Sequence, residues 1–315
     1  MVKVAIAGGT GNVASEIIEA IQATKKHEIT ILTRKENPTS LPGLRYVTAD
    51  YTSRPSLLST LRGQDVVLSF LVVHQDEDSI VQKNLIHACI EAGVKRFAPS
   101  EWGVSNGSGI PPYAHKDEIA AYLAEINKEK KVLEYCLFQP SLFMDYFAHP
   151  HALATHLYTW PFFVDYQHRR AMRLDAGTQP IVLTAIRDVA AVVALALDYP
   201  GEWPTVGGIR GSQTSINELI KLGEEIRGGK FAVEEVSGED VENGVLKTSW
   251  VPWMDHPVVP VAERSEAYSR AFTVMFLVGI KRGAWDVGGQ WNERLPEYRF
   301  KGAEEYLREA WKGKK

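Results

Sequence analysis

Apolar residues in this chain fall in short blocks, and stretches with helical spacing lie between them. Val2 to Ala7 is a strand-like block, and Glu16, Ile17, Ile18 and Ile21 then recur with the period of a helix that buries one face. Further blocks at Glu28–Thr33, Leu44–Ala49, Asp65–Val73, Val94–Ala98 and Val132–Phe138 predict five more strands. Helical patterns separate several of them: one opens near Pro55, one runs from Asp76 to Ala92 and stops at Gly93, and one runs from Tyr113 to Ile126. The Asp65–Val73 block is continuously apolar, as expected of a parallel strand covered on both faces. Six alternations over about 140 residues make a doubly wound parallel α/β sheet the economical fold. The pattern then loosens. Residues 148–180 are rich in His, aromatics and Pro without clean periodicity, and Val236–Val261 has loop-like spacing around Trp250 and Trp253. Helices are expected at Ile186–Leu197, Ile216–Ile226, Glu263–Val278 and Gly302–Trp311, with a short strand at Thr205–Gly211. The expected division is a nucleotide-binding unit over residues 1–148 and a smaller mixed α/β unit over 149–315, with exchange of a strand and a helix between them allowed.

Composition narrows the function classes. A formal charge of −4 over 315 residues, with no long Lys/Arg run, argues against a nucleic-acid footprint. The longest apolar runs, Val189–Leu197 and Ala271–Ile280, fall far short of the roughly 20 residues a membrane span needs. Cys89 and Cys136 form no paired framework and read as buried thiols in a reducing compartment. The first strand block starts at residue 2, so no leader is expected, and the expected location is cytoplasmic.

The stretch after the first strand carries the chemistry. Gly9-Thr10-Gly11-Asn12-Val13-Ala14 fits G-x-G-x-x-A, preceded by Gly8 and placed between strand and helix. Glycine there permits a tight turn and lets phosphates approach bare N–H groups at the positive end of the helix dipole. Gly8, Thr10, Gly11, Asn12 and Val13 are therefore expected to bind the pyrophosphate of a dinucleotide. The second strand ends in Arg34-Lys35, where the adenosine ribose is met. An acid there would suit a free 2′-hydroxyl; two cations suit a 2′-phosphate, so the expected cofactor is NADP(H). Val72, at the end of the fourth strand, is expected beside the adenosine half.

Further along stand Arg96-Phe-Ala-Pro-Ser-Glu-Trp-Gly103, a separate Lys116, and Gln139-Pro-Ser-Leu-Phe-Met-Asp-Tyr-Phe147. With the glycine turn and Arg34, these segments resemble the NmrA-like, isoflavone-reductase-like members of the atypical short-chain dehydrogenase/reductase superfamily, over roughly the first half of the chain. The resemblance implies a Rossmann-type domain, NADP(H), a smaller C-terminal substrate domain and a site in the cleft between them. It assigns Lys116 to proton transfer and to the nicotinamide ribose, and it places Ser141 and Phe143 at the nicotinamide. Ser141 departs from the glycine that many relatives carry. Glu101 is an expected acid or base or a loop-shaping acceptor, and Trp102, Phe143 and Tyr146 are expected pocket walls. The Tyr-x-x-x-Lys pair of short-chain dehydrogenases is not present, since Tyr113 precedes Lys116 by three residues; Tyr113 and His115 stay open as further acids. His149-Pro-His151 and His156 lack the fixed common face of a zinc site, and no metal is expected. Motifs for nucleophile-elbow hydrolases, HExxH proteases and P-loop enzymes are missing.

Three functions fit. The first is an NADPH-dependent reductase of a hydrophobic aromatic or polycyclic small molecule in specialised metabolism. The second is an enzyme in which NADP(H) is a scaffold for acid–base rearrangement or isomerisation. The third is a dinucleotide-sensing regulator, against which Lys116 speaks, because such regulators tend to lack that lysine.

Overall fold

The computed structural model describes residues 1–34, 42–72 and 76–314. Its first half contains β1 (Lys3–Ala7), α1 (Asn12–Thr24), β2 (Glu28–Thr33), β3 (Leu44–Thr48), α2 (Arg54–Leu61), β4 (Val66–Ser69), α3 (Ile80–Ala92), β5 (Arg96–Ala98), α4 (Ala114–Ile126) and β6 (Glu134–Tyr135). The six strands form one parallel sheet in the order β3-β2-β1-β4-β5-β6, the doubly wound arrangement. In such a sheet, ligands lie outside the carboxyl ends of the strands. Here those ends lead into the Gly8 turn, Phe70 and the Glu101 loop.

Two expected strands come out differently. The fourth stops at Ser69, so Val72 sits on irregular chain and is exposed. The sixth divides: β6 pairs with β5, whereas β7 (Leu137–Gln139) pairs with β12 (Val206–Gly208). β5 ends at Ala98 and its chain turns away into the Glu101 loop, so β7 must find its ladder elsewhere.

Past β7 the chain forms β8 (Leu142–Phe143), β9 (Val164–Asp165), β10 (Arg170–Leu174), β11 (Ile181–Thr184), α5 (Ile186–Asp198), then β12 and β13 (Ser212–Thr214). It continues with α6 (Ile216–Arg227), β14 (Ala232–Val236), α7 (Gly238–Glu242), α8 (Glu266–Lys281), α9 (Gln290–Arg294) and α10 (Ala303–Ala310). Residues 148–180, expected to be aperiodic, thus contain two strands, and Val236–Val261 contains α7. Their segments are too short to show a period. α8 starts at Glu266 rather than Glu263, because Ser265 caps it by accepting from the Tyr268 N–H at 3.1 Å.

α5 packs on α1 and buries Ile17, Ile21, Val189 and Val193 in one cluster with β1 and β4. α2, α3 and α4 cover the other sheet face over Leu57, Leu85 and Leu123. Residues beyond 148 therefore complete a layer of the first unit. A third cluster, rich in aromatics, fills the C-terminal unit around Phe147, Phe162, Phe163 and Trp285. Among the described residues, no helix is long and apolar enough to cross a membrane.

Two buried polar residues join these parts. Ser141 adopts φ +62°, the left-handed region that glycine tolerates and other L-residues do not. Its N–H donates to the Gly103 carbonyl at 2.9 Å, and its Oγ donates to the Trp285 carbonyl at 2.7 Å. The hydroxyl offsets the strain that glycine would avoid. Asp145 is fully buried: Oδ1 accepts from the Tyr306 hydroxyl at 2.5 Å and Oδ2 from the Ile186 N–H at 3.0 Å. The Tyr306 oxygen also accepts from the Leu153 N–H at 2.8 Å, so α10, α5 and the chain after Phe147 meet at one carboxylate. Burial pushes the Asp145 carboxyl up to about 6, against the pull of these donors.

Both nodes can be tested by stability. Ser141→Ala keeps the strained φ and loses the hydroxyl bond, whereas Ser141→Gly loses only the bond. In denaturant titrations the glycine variant should therefore exceed the alanine variant by about 1 kcal/mol. Asp145 is raised, so its favourable contribution is full below the ordinary carboxylate range and is lost as pH rises through about 6. Tyr306→Phe removes a donor to the charged form and should cost about 1–3 kcal/mol at pH 7. The cost should be smaller at pH 5, where the carboxyl is largely neutral. An equal cost at both values would show that Tyr306 does not act on the charged carboxylate.

Candidate functional site

The glycine turn does two separate jobs. Gly8 has φ +74°, and a Cβ there would lie 2.7 Å from the Phe70 carbonyl oxygen. Gly11 caps α1 in an extended conformation at φ −77°, so left-handed freedom is needed at Gly8 and not at Gly11. No side chain caps α1 and no acid occupies its first turn, so its leading N–H groups are left for an anion. That fits a pyrophosphate. Thr10 and Gly11 are exposed, and Asn12 and Val13 are half-buried beside them.

The Asn12 side chain is committed elsewhere: its Nδ2 donates to the His156 carbonyl at 2.7 Å. Glu16 Oε1 accepts from the His156 and Leu157 N–H groups at 2.5 and 2.9 Å. Chain from the C-terminal unit is thus laid across the first turns of α1. Arg34 is exposed directly after β2, where the sequence put a phosphate-binding cation. Lys35 lies outside the described residues.

The other half of the site grows from the loop after β5. Trp102 has φ +43° and stacks with Phe70 at 4.4 Å and with Phe138 at 5.3 Å between centroids. Its Nε1–H donates to the Ser69 carbonyl at 2.8 Å. Trp102 therefore ties the ends of β4 and β7 together and stays half-buried at the sheet edge.

Glu101 is buried, 1% exposed. Its backbone carbonyl accepts from the Lys116 ammonium in a very short contact. Oε2 accepts from Asn106 Nδ2 at 3.4 Å, and Oε1 is a buried oxygen with no hydrogen-bond partner. Burial pushes the Glu101 carboxyl up and the Lys116 amine down, and each charge opposes the other's shift. Both shifts favour the uncharged form of each group.

α4 presents Lys116 after the Pro111–Tyr113 3₁₀ turn, and that turn sets the Lys116 Nζ 4.9 Å above the Tyr113 ring. The ammonium meets the ring face. Burial raises the Tyr113 phenol, which makes it a poor proton donor at neutral pH. His115 is half-buried on the same turn of α4.

Phe143 and Tyr146 lie together at 5.9 Å, and Tyr146 continues to Trp160 at 4.5 Å and Phe162 at 5.3 Å. Trp160, Phe162, Phe272 and Phe276 line an apolar crevice of only about 10 Å³. Asn106 and Gln139 also belong to the site, although neither was expected to contribute its side chain. Gln139 Nε2 donates to Asn106 Oδ1 at 2.6 Å, and Asn106 Nδ2 reaches Asp117 Oδ1 at 3.1 Å besides Glu101. Only their position on the loop after β5 and at the end of β7 could have suggested them.

The histidines of the 149–156 segment are engaged separately. His149 meets the Thr159 hydroxyl at 3.1 Å, His151 meets the Trp311 ring at 4.7 Å, and His156 pairs with Glu19 at 2.9 Å. Among the described residues, no group of three or more His, Cys, Asp or Glu is placed to hold a metal.

Comparison with known proteins agrees with this architecture. The chain is 33% identical over 242 residues to Oxidoreductase BOA1 of Botryotinia fuckeliana, covering 73% of this chain and 78% of that protein. It is 26% identical to Oxidoreductase swnN of Metarhizium robertsii, covering 99% and 98% of the two chains. Among solved structures, AtPrR2 with NADP+ and (+)pinoresinol superposes with TM-score 0.70 at 21% identity, and an isoflavone reductase with 0.69 at 20%; each comparison covers 98% of both chains. These likenesses establish the Rossmann-type fold. The NmrA-like family itself matches over residues 2–273, and the chain belongs to that family.

Proposed function

We propose that the chain is an NADPH-dependent oxidoreductase that reduces a hydrophobic aromatic or polycyclic small molecule. The observation that carries this reading is the contact of the half-buried Lys116 ammonium with the backbone carbonyl of buried Glu101, set on the sheet edge that also bears the uncapped start of α1. The names of the relatives, both oxidoreductases, support it, and so does the bound NADP+ and pinoresinol of the structural neighbour. Both cysteines are free and buried, which suits a cytoplasmic enzyme of specialised metabolism.

When bound, NADPH supplies the hydride. The residues then divide the remaining work. The α1 N–H groups and the Gly8–Val13 turn hold the pyrophosphate, and Arg34, with Lys35 beside it in sequence, holds the 2′-phosphate. Val72 borders the adenosine half, and Ser141 and Phe143 border the nicotinamide. Lys116 holds the ribose and passes a proton at Nζ, while Glu101 holds a proton at the unpartnered Oε1. Tyr146, with the Trp160 and Phe162 rings packed on it, excludes water from the substrate, and Trp102 walls the loop side. The orphaned oxygen also favours a second reading, in which Glu101 moves protons on the substrate and the nicotinamide stays unchanged.

Arg34→Leu should raise the NADPH dissociation constant about 10- to 100-fold and change that of NADH less than twofold, read by cofactor fluorescence. Equal effects on both would remove Arg34 from the 2′-phosphate. Lys116→Ala should lower substrate-dependent NADPH oxidation by roughly 100-fold or more, followed by absorbance across a panel of conjugated and carbonyl aromatics. Product formed without NADPH loss, and abolished in Glu101→Gln, would instead select the scaffold reading.

A further inference from the structure

Glu16 is buried, 4% exposed, in the second turn of α1, directly behind the N–H groups expected at the pyrophosphate. A carboxyl there gives a phosphate nothing, because its charge repels the anion and competes for the same helix dipole. Its Oε1 accepts instead from the His156 and Leu157 N–H groups, at 2.5 and 2.9 Å. Asn12 stands four residues earlier, on the same face of α1, and its amide donates to the His156 carbonyl. Two side chains of the dinucleotide helix thus grip one short piece of backbone.

That piece leads to the substrate side. The chain leaves Tyr146 and comes back to it at Trp160, whose rings lie 4.5 Å apart, and in between it runs out to α1. The outgoing limb is tied at Leu153, whose N–H donates to the Tyr306 hydroxyl at 2.8 Å. The returning limb, 154–158, contains no helix or strand. Among the described residues, its backbone hydrogen-bonds to Asn12 and Glu16 alone. Ala154 and Leu157 also pack against the cluster of α1 and α5, but apolar contact is non-directional and leaves the register open. The chain from Leu157 to Trp160 can span at most about 10 Å, so the grip on Leu157 limits where Trp160 can stand.

We propose that Glu16 is a positioning residue for substrate binding. Through the His156 and Leu157 N–H groups it sets the returning limb, and with it the Trp160–Tyr146 wall, at a fixed spacing from the helix that carries the cofactor. This rests on the reductase reading above and adds to it a residue that touches neither substrate nor cofactor.

The test compares Glu16→Leu, which removes the acceptor, with Glu16→Gln, which keeps Oε1 as an amide oxygen. NADPH dissociation constants are read by cofactor fluorescence. Steady-state reduction of phenanthrenequinone, a planar tricyclic dicarbonyl, or of the panel aromatic the parent turns over fastest, is followed by NADPH absorbance. Glu16→Leu should raise KM about 10-fold, with kcat within about threefold and the NADPH constant within about twofold of the parent. Glu16→Gln should bring KM back to within about threefold, since a neutral acceptor still meets both N–H groups. Amide hydrogen exchange at 154–158 should quicken in the leucine variant and not in the glutamine variant. Should Glu16→Leu melt below the assay temperature, Glu16→Asp, whose carboxyl falls one methylene short of the limb, takes its place, with KM raised about threefold or more. An unchanged KM, NADPH weakened as much as the substrate, or a glutamine variant no better than leucine each overturns the proposal. A parent protein that oxidises NADPH with none of these aromatics refutes the reductase reading itself, a separate result.

Discussion

Four aromatic rings, Phe70, Trp102, Phe138 and Trp291, lie face to face in sequence, with centroids 4.4, 5.3 and 5.5 Å apart and planes within 10° of parallel. They come from the end of β4, the loop after β5, β7 and α9, so one stack joins the sheet edge to the C-terminal unit. Each offset pair adds roughly 0.5–1.5 kcal/mol beyond its buried area. The stack also explains the backbone of Trp102. A positive φ is costly for a tryptophan and persists only when its surroundings over-determine it. Here two stacked neighbours and the indole bond to Ser69 do so, and the turn they impose delivers Glu101 into the interior.

With Trp102 fixed, the chain on its C-terminal side is fixed too. Gly103 offers its carbonyl to the Ser141 N–H, and Ser141 in turn reaches the Trp285 carbonyl, which also accepts from the Val182 N–H at 2.8 Å. The loop after β5, the β7–β8 link, β11 and the chain after α8 thereby share a short run of hydrogen bonds. Asp145 repeats the device a few residues on, gathering α5, α10 and the 149–157 chain. The site is held by buried polar nodes at the seam between units, where a purely apolar seam would allow the two to slide.

The sequence was most legible where local rules act. Strand blocks, the glycine turn, the Gly93 stop and the order of the first six strands follow from periodicity and turn chemistry, and the structure keeps them with shifts of a few residues. It was least legible where a segment's partner is remote. Nothing in Val132–Phe138 says that the ladder will pass from β5 to β12, a strand far along the chain. β9, β10 and β14 are short, two to five residues, so no alternation can establish itself in them. At the site, Glu101 and Lys116 could be named from motif and spacing, yet their union through the Glu101 carbonyl could not. Trp102 illustrates the limit: an aromatic at a ligand-binding edge suggests a wall, and only the structure shows that it also stacks with Phe70 and Phe138.

The geometry also bears on why the Tyr-x-x-x-Lys arrangement is unnecessary here. In that pair a lysine lowers the proton affinity of a tyrosine hydroxyl. In this chain Lys116 lies over the Tyr113 ring, a contact that stabilises the ammonium and does nothing to free the phenol proton. The titratable partner is instead the Glu101 carboxyl on the loop after β5, whose burial gives it the raised proton affinity that an exposed acid would lack. The ammonium of Lys116 meets the backbone carbonyl of Glu101, so the two groups share one loop without forming an ion pair. Asn106 steadies that arrangement: its oxygen faces the Gln139 amide and its nitrogen faces two carboxylates, so its amide has one orientation that satisfies every neighbour. On the function proposed above, the loop after β5, and not a tyrosine, carries the proton chemistry.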